Sequence, residues 1–556
     1  MIIDGNEFFK THPCYDAHVC ILGGGAAGIT LALELARKAP GLNVVVLEGG
    51  EDPPPIKGDQ SASQPLYAGE MVGDMAAIRP DFLTKSRFRA FGGSTNCWGA
   101  WCRPLDQMDI AGHGDYPAWP LPAGELERFY PRAQTMCSLG PFEYDPGYWV
   151  DRSRGTLATI PGSPAVVRQT CVLGVQDGKK CFFKNYRAEL EAAPNLRFIL
   201  HSNLVRIHAD GTSGMDSITH VSGKTLHPGT LTVNRDFDVY AKVFVVALGG
   251  IETVRALLDS PSERQRDGLG NNHDKVGRFF NVHPVVGNAA TVTFDPGVRW
   301  SPPVRNFLAL TRFPISPAAA EAPGPLETGV EVPDYDADAD GTCPNANPND
   351  PPYEWVWSVL VPTAETLRNN SFGNFRVMLN ATDAGCTFNV CWEQLPSDDS
   401  RLTLADSVDV LGNRRVRVEW KLSEADMHTY ERAVDAASYR LSLAYKFKFQ
   451  RNFNIRDRAS WWTRLVPGDH PMGGTRMSVS ATDGVVNPDC RLHAVDNLYV
   501  SSSSNWPSGG WANPTLSIVA MALRLADHLL GQVAEEVAVR IDNVEIAAPL
   551  AAPGAD

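Results

Sequence analysis

Gly23, Gly25 and Gly28 stand in the spacing G-x-G-x-x-G, and Glu48 follows twenty residues after the last of them. That combination suits one kind of chemistry, the binding of a dinucleotide. Gly23 permits a tight turn, Gly25 lets backbone approach a pyrophosphate, and Gly28 lets a helix pack closely on a strand. The free N–H groups and positive dipole end of that helix favour an anion. Glu48 is placed to bond ribose hydroxyls, and an acid here favours an unphosphorylated ribose. Nothing in the motif separates FAD from NAD.

The motif has meaning only if the right elements hold it. Val19-Cys20-Ile21-Leu22 reads as a buried strand ending in the glycines. Ile29 to Lys38 has apolar residues at helical spacing and positive residues at the end the dipole favours. Asn43 to Leu47 is a second strand with Glu48 at its tip. Strand, glycines, helix, strand and acid fall in the required order, whereas a plain strand-turn-helix corner would need only the glycines.

The chain has 556 residues, 43% hydrophobic and 21% charged, enough for two domains and a large core. A formal net charge of −14 argues against nucleic acid or an anionic membrane surface as a partner. No stretch approaches the roughly 18 apolar residues of a membrane helix. The N-terminus lacks the positive flank and apolar core of a signal peptide. Eleven cysteines without a C-x-x-C pair predict reduced thiols in a cytoplasmic protein, and no metal-ligand spacing is present.

Other blocks also suit chemistry. Phe91-Gly92-Gly93-Ser94-Thr95-Asn96-Cys97-Trp98 is a glycine-rich stretch that can thread past a planar or anionic group. Helical pieces are expected over Ala123–Leu139 and Tyr186–Ala193, strands over Leu196–Arg206, and a hairpin over Ile218–Tyr240. Ala241 to Leu248 reads as a further buried strand of the dinucleotide sheet, followed by Gly249-Gly250 and a helix. Phe375–Leu379, Thr387–Trp392 and Arg414–Trp420 carry strand composition, predicting an antiparallel sheet for a substrate domain. Pro314–Pro352 is too long and too proline-rich for an ordinary connection, and is expected to be mobile at the substrate entrance. Its Asp334–Gly341 run has EF-hand-like spacing, but Asn347 stands where a bidentate glutamate is needed, so calcium is not expected. Near the C-terminus, Asp469-His470-Pro471-Met472-Gly473-Gly474-Thr475-Arg476-Met477 and Gly510-Trp511-Ala512-Asn513-Pro514-Thr515 precede a strong helix to about Leu530. Pro514 is expected at its first position and Asn513 as its N-cap.

Together, the glycine motif with Glu48, the 91–101 stretch, Gly268–Arg278 and the 470–530 block resemble the glucose–methanol–choline (GMC) oxidoreductases, nearest to sugar- and polyol-oxidising and pyranose-oxidase-like members. The resemblance implies an α/β fold (α+β overall), with a Rossmann-like FAD-binding domain and a second domain on an antiparallel sheet. The expected division is 1–112, 196–284 and 459–535 for FAD, 113–195 and 285–458 for substrate, and 536–556 as a tail whose last residues are loose. Implied flavin contacts are Gly23, Gly25, Ala27, Gly28, Glu48, Gly92, Gly93, Ser94, Asn96, Cys97, Trp98, Val205, Ser503, Asn513, Pro514 and Thr515. His470 is implied as the general base and Asn513 as the partner that donates to the substrate oxygen, with hydride passing to flavin N5. Cys97 stands where some relatives carry a flavin-linked histidine, so noncovalent FAD is expected. Ser502 stands where Asp or Gly is common.

The implied partners are a small-molecule alcohol and dioxygen or another electron acceptor; the oligomeric state is left open. Tryptophans 461, 462, 506 and 511, with Tyr353, Trp355 and Trp357, offer platforms for a sugar ring, although core packing is the commoner fate of tryptophan. The same scaffold also carries flavin-bound lyases and light-driven fatty-acid decarboxylases, or a binding role without catalysis, and fold alone does not separate these.

Overall fold

The computed structural model describes residues 1–52, 62–152, 160, 163–175, 181–211, 215–296, 298, 313–314, 353–382 and 384–545, with the side chains at 150–152, 175, 313–314, 353–357, 381 and 533–545 not described. All of the expected 314–352 loop after Pro314, with its calcium-like run, and the side chains of Tyr353, Trp355 and Trp357 therefore lie outside the described residues.

Cys14–Leu22, Val44–Leu47 and Val233–Val246 form the centre of an eight-stranded sheet. Val44–Leu47 is buried at every position, the mark of a strand covered on both faces. Cys14–Leu22 pairs parallel with Val44–Leu47 on one side and with the end of Val233–Val246 on the other. Outward, Leu196–Leu200 and Ile2–Asp4 extend the parallel set. On the far side, the first half of Val233–Val246 joins Ser217–Leu226 and Ser202–Asp210 as an antiparallel meander. Leu498–Val500 adds in parallel beside Val246, which brings the C-terminal block to the ends of the strands that carry the glycines.

Antiparallel pairing builds a second eight-stranded sheet, running Phe313–Pro314, Tyr353–Pro362, Phe375–Thr382, Gly385–Trp392, Pro284–Phe294 and Phe447–Arg451, with Val167–Val175 and Leu465–Pro467 paired beside it. Trp392 is fully buried within it. Arg414–Trp420, expected in this sheet, instead pairs with Arg401–Val408 and, in parallel, with Glu70–Gly73. Local composition marks a strand but does not choose its neighbours.

Helix boundaries shift as well. The glycine helix is Ala26–Lys38, the 123–139 piece becomes a short 3₁₀ turn and Tyr130–Met136, and the last helix runs Thr515–Glu545, past the expected end at Leu530. Among the described residues nine cysteines are free and Cys181 is disulfide-bonded, so the expectation of reduced thiols does not hold for Cys181. No helix among the described residues is long and apolar enough to cross a membrane.

Candidate active site

Three helices, beginning at Ala26, Gly249 and Thr515, point their N-termini at one cleft beyond the ends of the parallel strands. Gly25 is the N-cap of the first and no side chain caps it, so its N–H groups are left for an anion. Gly23 and Gly28 have steric reasons to be there. A Cβ on Gly28 would sit 1.9 Å from the Gly23 carbonyl oxygen, and Gly23 itself has φ +109°. Across the cleft Gly93, at φ +55°, brings its backbone against Gly25; its Cβ would lie 3.0 Å from the Gly25 Cα. Glu48 closes the cradle: its Oε2 accepts from Gly24 N at 2.8 Å and its Oε1 from Gly50 N at 2.7 Å. Burial raises the Glu48 pKa, while Arg89 and the two backbone donors pull it down. Each carboxylate oxygen keeps a second lone pair for a ribose hydroxyl.

Of the expected contacts, Gly23, Gly25, Ala27, Glu48, Gly93, Ser94, Cys97, Trp98, Ser503, Asn513, Pro514, Thr515 and His470 line this cleft. Gly28, Gly92 and Asn96 do not; they shape it. Gly28 packs helix on strand, and Asn96 Nδ2 donates to Phe91 O and Gly93 O, holding the loop's turn. Val205 is a correction. Neighbouring residues of a strand face opposite ways, so Ser202 and Leu204 reach the cleft while Val205 packs with Leu66, Leu226 and Leu411. Sequence reasoning also missed a buried ion network on the wall: Arg87 and Arg255 both donate to Glu252, at 3.0 and 2.7 Å, holding its carboxyl at a pKa of about 2. Charged residues inside an otherwise apolar helix were its only signal.

The far end of the cleft holds His470. An antiparallel bridge between Asn281 and Met472 sets its register, placing His283 directly opposite. Ser503 Oγ donates to Pro471 O at 2.7 Å and fastens the same loop to the C-terminal block. The two histidines meet Nδ1 to Nδ1 at 3.0 Å, and His283 Nε2 lies 2.9 Å from Gly510 O. A carbonyl only accepts, so His283 carries its proton on Nε2 and offers a lone pair at Nδ1. His470 must then donate from Nδ1, leaving the lone pair of its Nε2 free. His283 was not singled out from the sequence; its one signal is a second His-Pro dipeptide, His283-Pro284.

Burial lowers both imidazoles. His283 falls to about 3, with Arg376 as the next cause, and His470 falls well below 6.5, with His283 and then Arg376 adding to burial. Both remain neutral across ordinary working pH.

Asn513 is not the N-cap. Ile518 N bonds Pro514 O, so the helix starts at Thr515 with Pro514 as its capping residue. The Asn513 side chain turns instead to Arg376, whose Nη1 donates to its Oδ1 at 3.0 Å. With Oδ1 engaged, the donating Nδ2 is the end left over. The guanidinium of Arg376 rests near Trp101 and Trp511. The other expected platforms disperse: Trp506 is core against Trp119, Trp461 is buried, and Trp462 is exposed.

A parallel sheet with a glycine cradle and three convergent helix N-termini fits a dinucleotide-binding fold. Residues 396–522 match the family model described as GMC oxidoreductase. The chain is 27% identical to the fructose dehydrogenase large subunit of Gluconobacter japonicus over 52% of its length, a match spanning only 48% of that protein. It is 23% identical to the 6'''-hydroxyparomomycin C oxidase of Streptomyces lividus, over 92% of this chain and 91% of that one. A formate oxidase of Aspergillus oryzae RIB40, in a structure addressing FAD modification, shares the fold with a TM-score of 0.54 at 16% identity, covering 94% of this chain and 99% of that one. The likeness to GMC oxidoreductases is thus carried by residues 396–522 in sequence and by the whole chain in fold.

Proposed function

We propose that the protein oxidises a CH–OH group of a small-molecule alcohol, of sugar, polyol or glycoside type, using noncovalently bound FAD. Bound in the cleft, FAD supplies the acceptor for the hydride that leaves the carbinol carbon. The chain's own residues do the rest. Glu48 holds ribose hydroxyls, and the helix N-termini at Ala26 and Thr515 face anionic groups. His470 Nε2 takes the hydroxyl proton, and Asn513 Nδ2 steadies the negative charge gathering on the substrate oxygen. Arg376 fixes the direction of the Asn513 amide, and His283 the tautomer of His470. Trp98 and Trp101, neither fully buried, offer aromatic faces to a ring substrate.

The observation that carries this reading is the hydrogen-bonded histidine pair, with His470 and the Arg376-held Asn513 both lining the cleft that the glycine cradle opens on. Relatives named for the oxidation of fructose and of 6'''-hydroxyparomomycin C support the substrate class. Neither the lyase nor the photodecarboxylase reading has an observation of its own behind it.

Anaerobic stopped-flow reduction in the dark, over a panel of sugars and polyols, tests the proposal. An alcohol oxidoreductase bleaches its flavin absorbance in this experiment; a lyase does not bleach, and a photoenzyme needs light. His470→Ala should slow reduction by about 10²–10⁴ with FAD retained, and Asn513→Ala by less. Near-normal reduction by both variants removes the pair from the reaction. Acid precipitation should release the flavin to the supernatant; flavin staying with the pellet would show a covalent link, for which Cys97 is the available thiol.

A further inference from the structure

Behind the histidine pair, away from the cleft, Asp109, His113 and Glu393 converge. One ligand-type atom of each lies within 4.8 Å of the others, and all three residues are buried. Their origins are far apart: Asp109 on the short helix Gln107–Ala111, His113 just past Gly112, and Glu393 at the end of Gly385–Trp392. The sequence therefore offered no metal-ligand spacing to read.

Two features point to a missing partner. Both ring nitrogens of His113 are buried without a hydrogen bond, and Nε2 lies 3.4 Å from Glu393 Oε2. Asp109 and Glu393 are each about 1% exposed, yet among the described residues no lysine or arginine pairs with either. Two buried carboxylates without a lysine or arginine, beside an imidazole whose nitrogens make no hydrogen bond, form a set that a cation completes.

The carboxylates are also oriented as ligands are. Asp109 Oδ1 accepts from Asn374 Nδ2 at 2.7 Å and Oδ2 from Asp106 N at 2.9 Å. Glu393 Oε1 accepts from Gly510 N at 2.8 Å and Oε2 from Asn374 N at 3.2 Å. Each oxygen thus spends one lone pair on a fixed donor and keeps another, the arrangement that outer partners give to metal-bound carboxylates. Asn374 serves both acids. We propose that Asp109, His113 and Glu393 bind a divalent cation of the zinc class through two carboxylate oxygens and one imidazole nitrogen. Such a mixed O/N donor set suits zinc, and a dication balances the two acids. Binding displaces any proton the carboxylates or imidazole hold, so it weakens as pH falls. The ion would stand behind Gly510, whose N–H is held by Glu393 and whose carbonyl is held by His283, and so would stiffen the wall that positions His470.

Metal analysis of the FAD-loaded protein, purified without chelator and then offered Zn²⁺ alone, tests this. About one zinc per chain is expected. Asp109→Asn and His113→Gln, close to isosteric, should retain less than about a tenth of that while keeping the flavin absorbance. Stripping the unaltered protein with dipicolinate should lower its thermal midpoint, and zinc should restore it, which keeps the test open where a variant does not fold. No zinc uptake by the unaltered protein overturns the proposal. So does equal uptake by the folded variants, or a midpoint indifferent to stripping and return. Metal content is read without turnover, so this test stands or falls apart from the alcohol-oxidation reading.

Discussion

The cofactor cradle and the wall behind His470 face each other across one cleft, yet they are encoded in opposite ways. Most of the cradle comes from residues 19–50, and it works through backbone: glycines without Cβ atoms, a helix N-terminus, and one acid bonded to two main-chain N–H groups. The wall works through side chains drawn from distant places: hydrogen bonds run from His470 through His283 and Gly510 to Glu393, and separately from Arg376 to Asn513. Recognition of a dinucleotide is a backbone task that a local motif can perform. Positioning a proton acceptor is a side-chain task that needs partners on several sides, and a second sheet supplies them.

Substitutions can set the two regions apart. The largest effect is expected at the wall, from His283→Leu, which removes the acceptor for His470 Nδ1 and frees the ring to flip its tautomer. Anaerobic flavin reduction should slow by about 10²–10³, bounded by the effect of losing His470 itself, with FAD content unchanged. His283→Gln can still accept from His470 and donate to Gly510, and should recover part of the rate. Equal rates for the Leu and Gln variants would show that His283 only fills space.

A smaller effect, confined to the cradle, is expected from Glu48→Ala. Losing its charge-assisted hydrogen bonds should weaken FAD retention by about 1.5–3 kcal/mol, measured by equilibrium dialysis, with the reduction rate of the loaded fraction little changed. Unchanged FAD affinity would make Glu48 a staple for Gly24 and Gly50 and nothing more.

The subtlest effect is a shift in pH dependence. The pKa of His470 is depressed, so it stays deprotonated as pH falls through its ordinary 6.5, and flavin reduction in the unaltered protein should stay flat there. Arg376→Gln removes a charge that lowers both imidazoles, so the acid limb of the rate should move to higher pH. An unmoved limb would mean that burial alone keeps His470 neutral. Linkage gives the matching stability trend: His283 protonates readily when unfolded but only near pH 3 when folded, so thermal stability should decline as pH drops from about 6.5 toward 3.

The sequence by itself determined the cradle, because the period of the strands, the glycines and the position of Glu48 are local facts that close packing then enforces. It also marked His470 and Asn513, through their resemblance to a family block. Tertiary structure decided what those two side chains do. The Asn281–Met472 bridge brought His283 opposite His470 across 187 residues of chain, and Arg376, from Phe375–Thr382, drew Asn513 away from the helix end it was expected to cap. Strand pairing was likewise decided in space, since Arg414–Trp420 has strand composition but joins Glu70–Gly73 instead of the larger sheet. Asp109, His113 and Glu393 show the same limit most sharply, with 280 residues between the last two and no spacing to betray them. Local sequence fixes backbone conformation because its determinants are steric and near neighbours; side-chain partnership depends on which surfaces the packed sheets bring together, and no short window of the chain contains both partners.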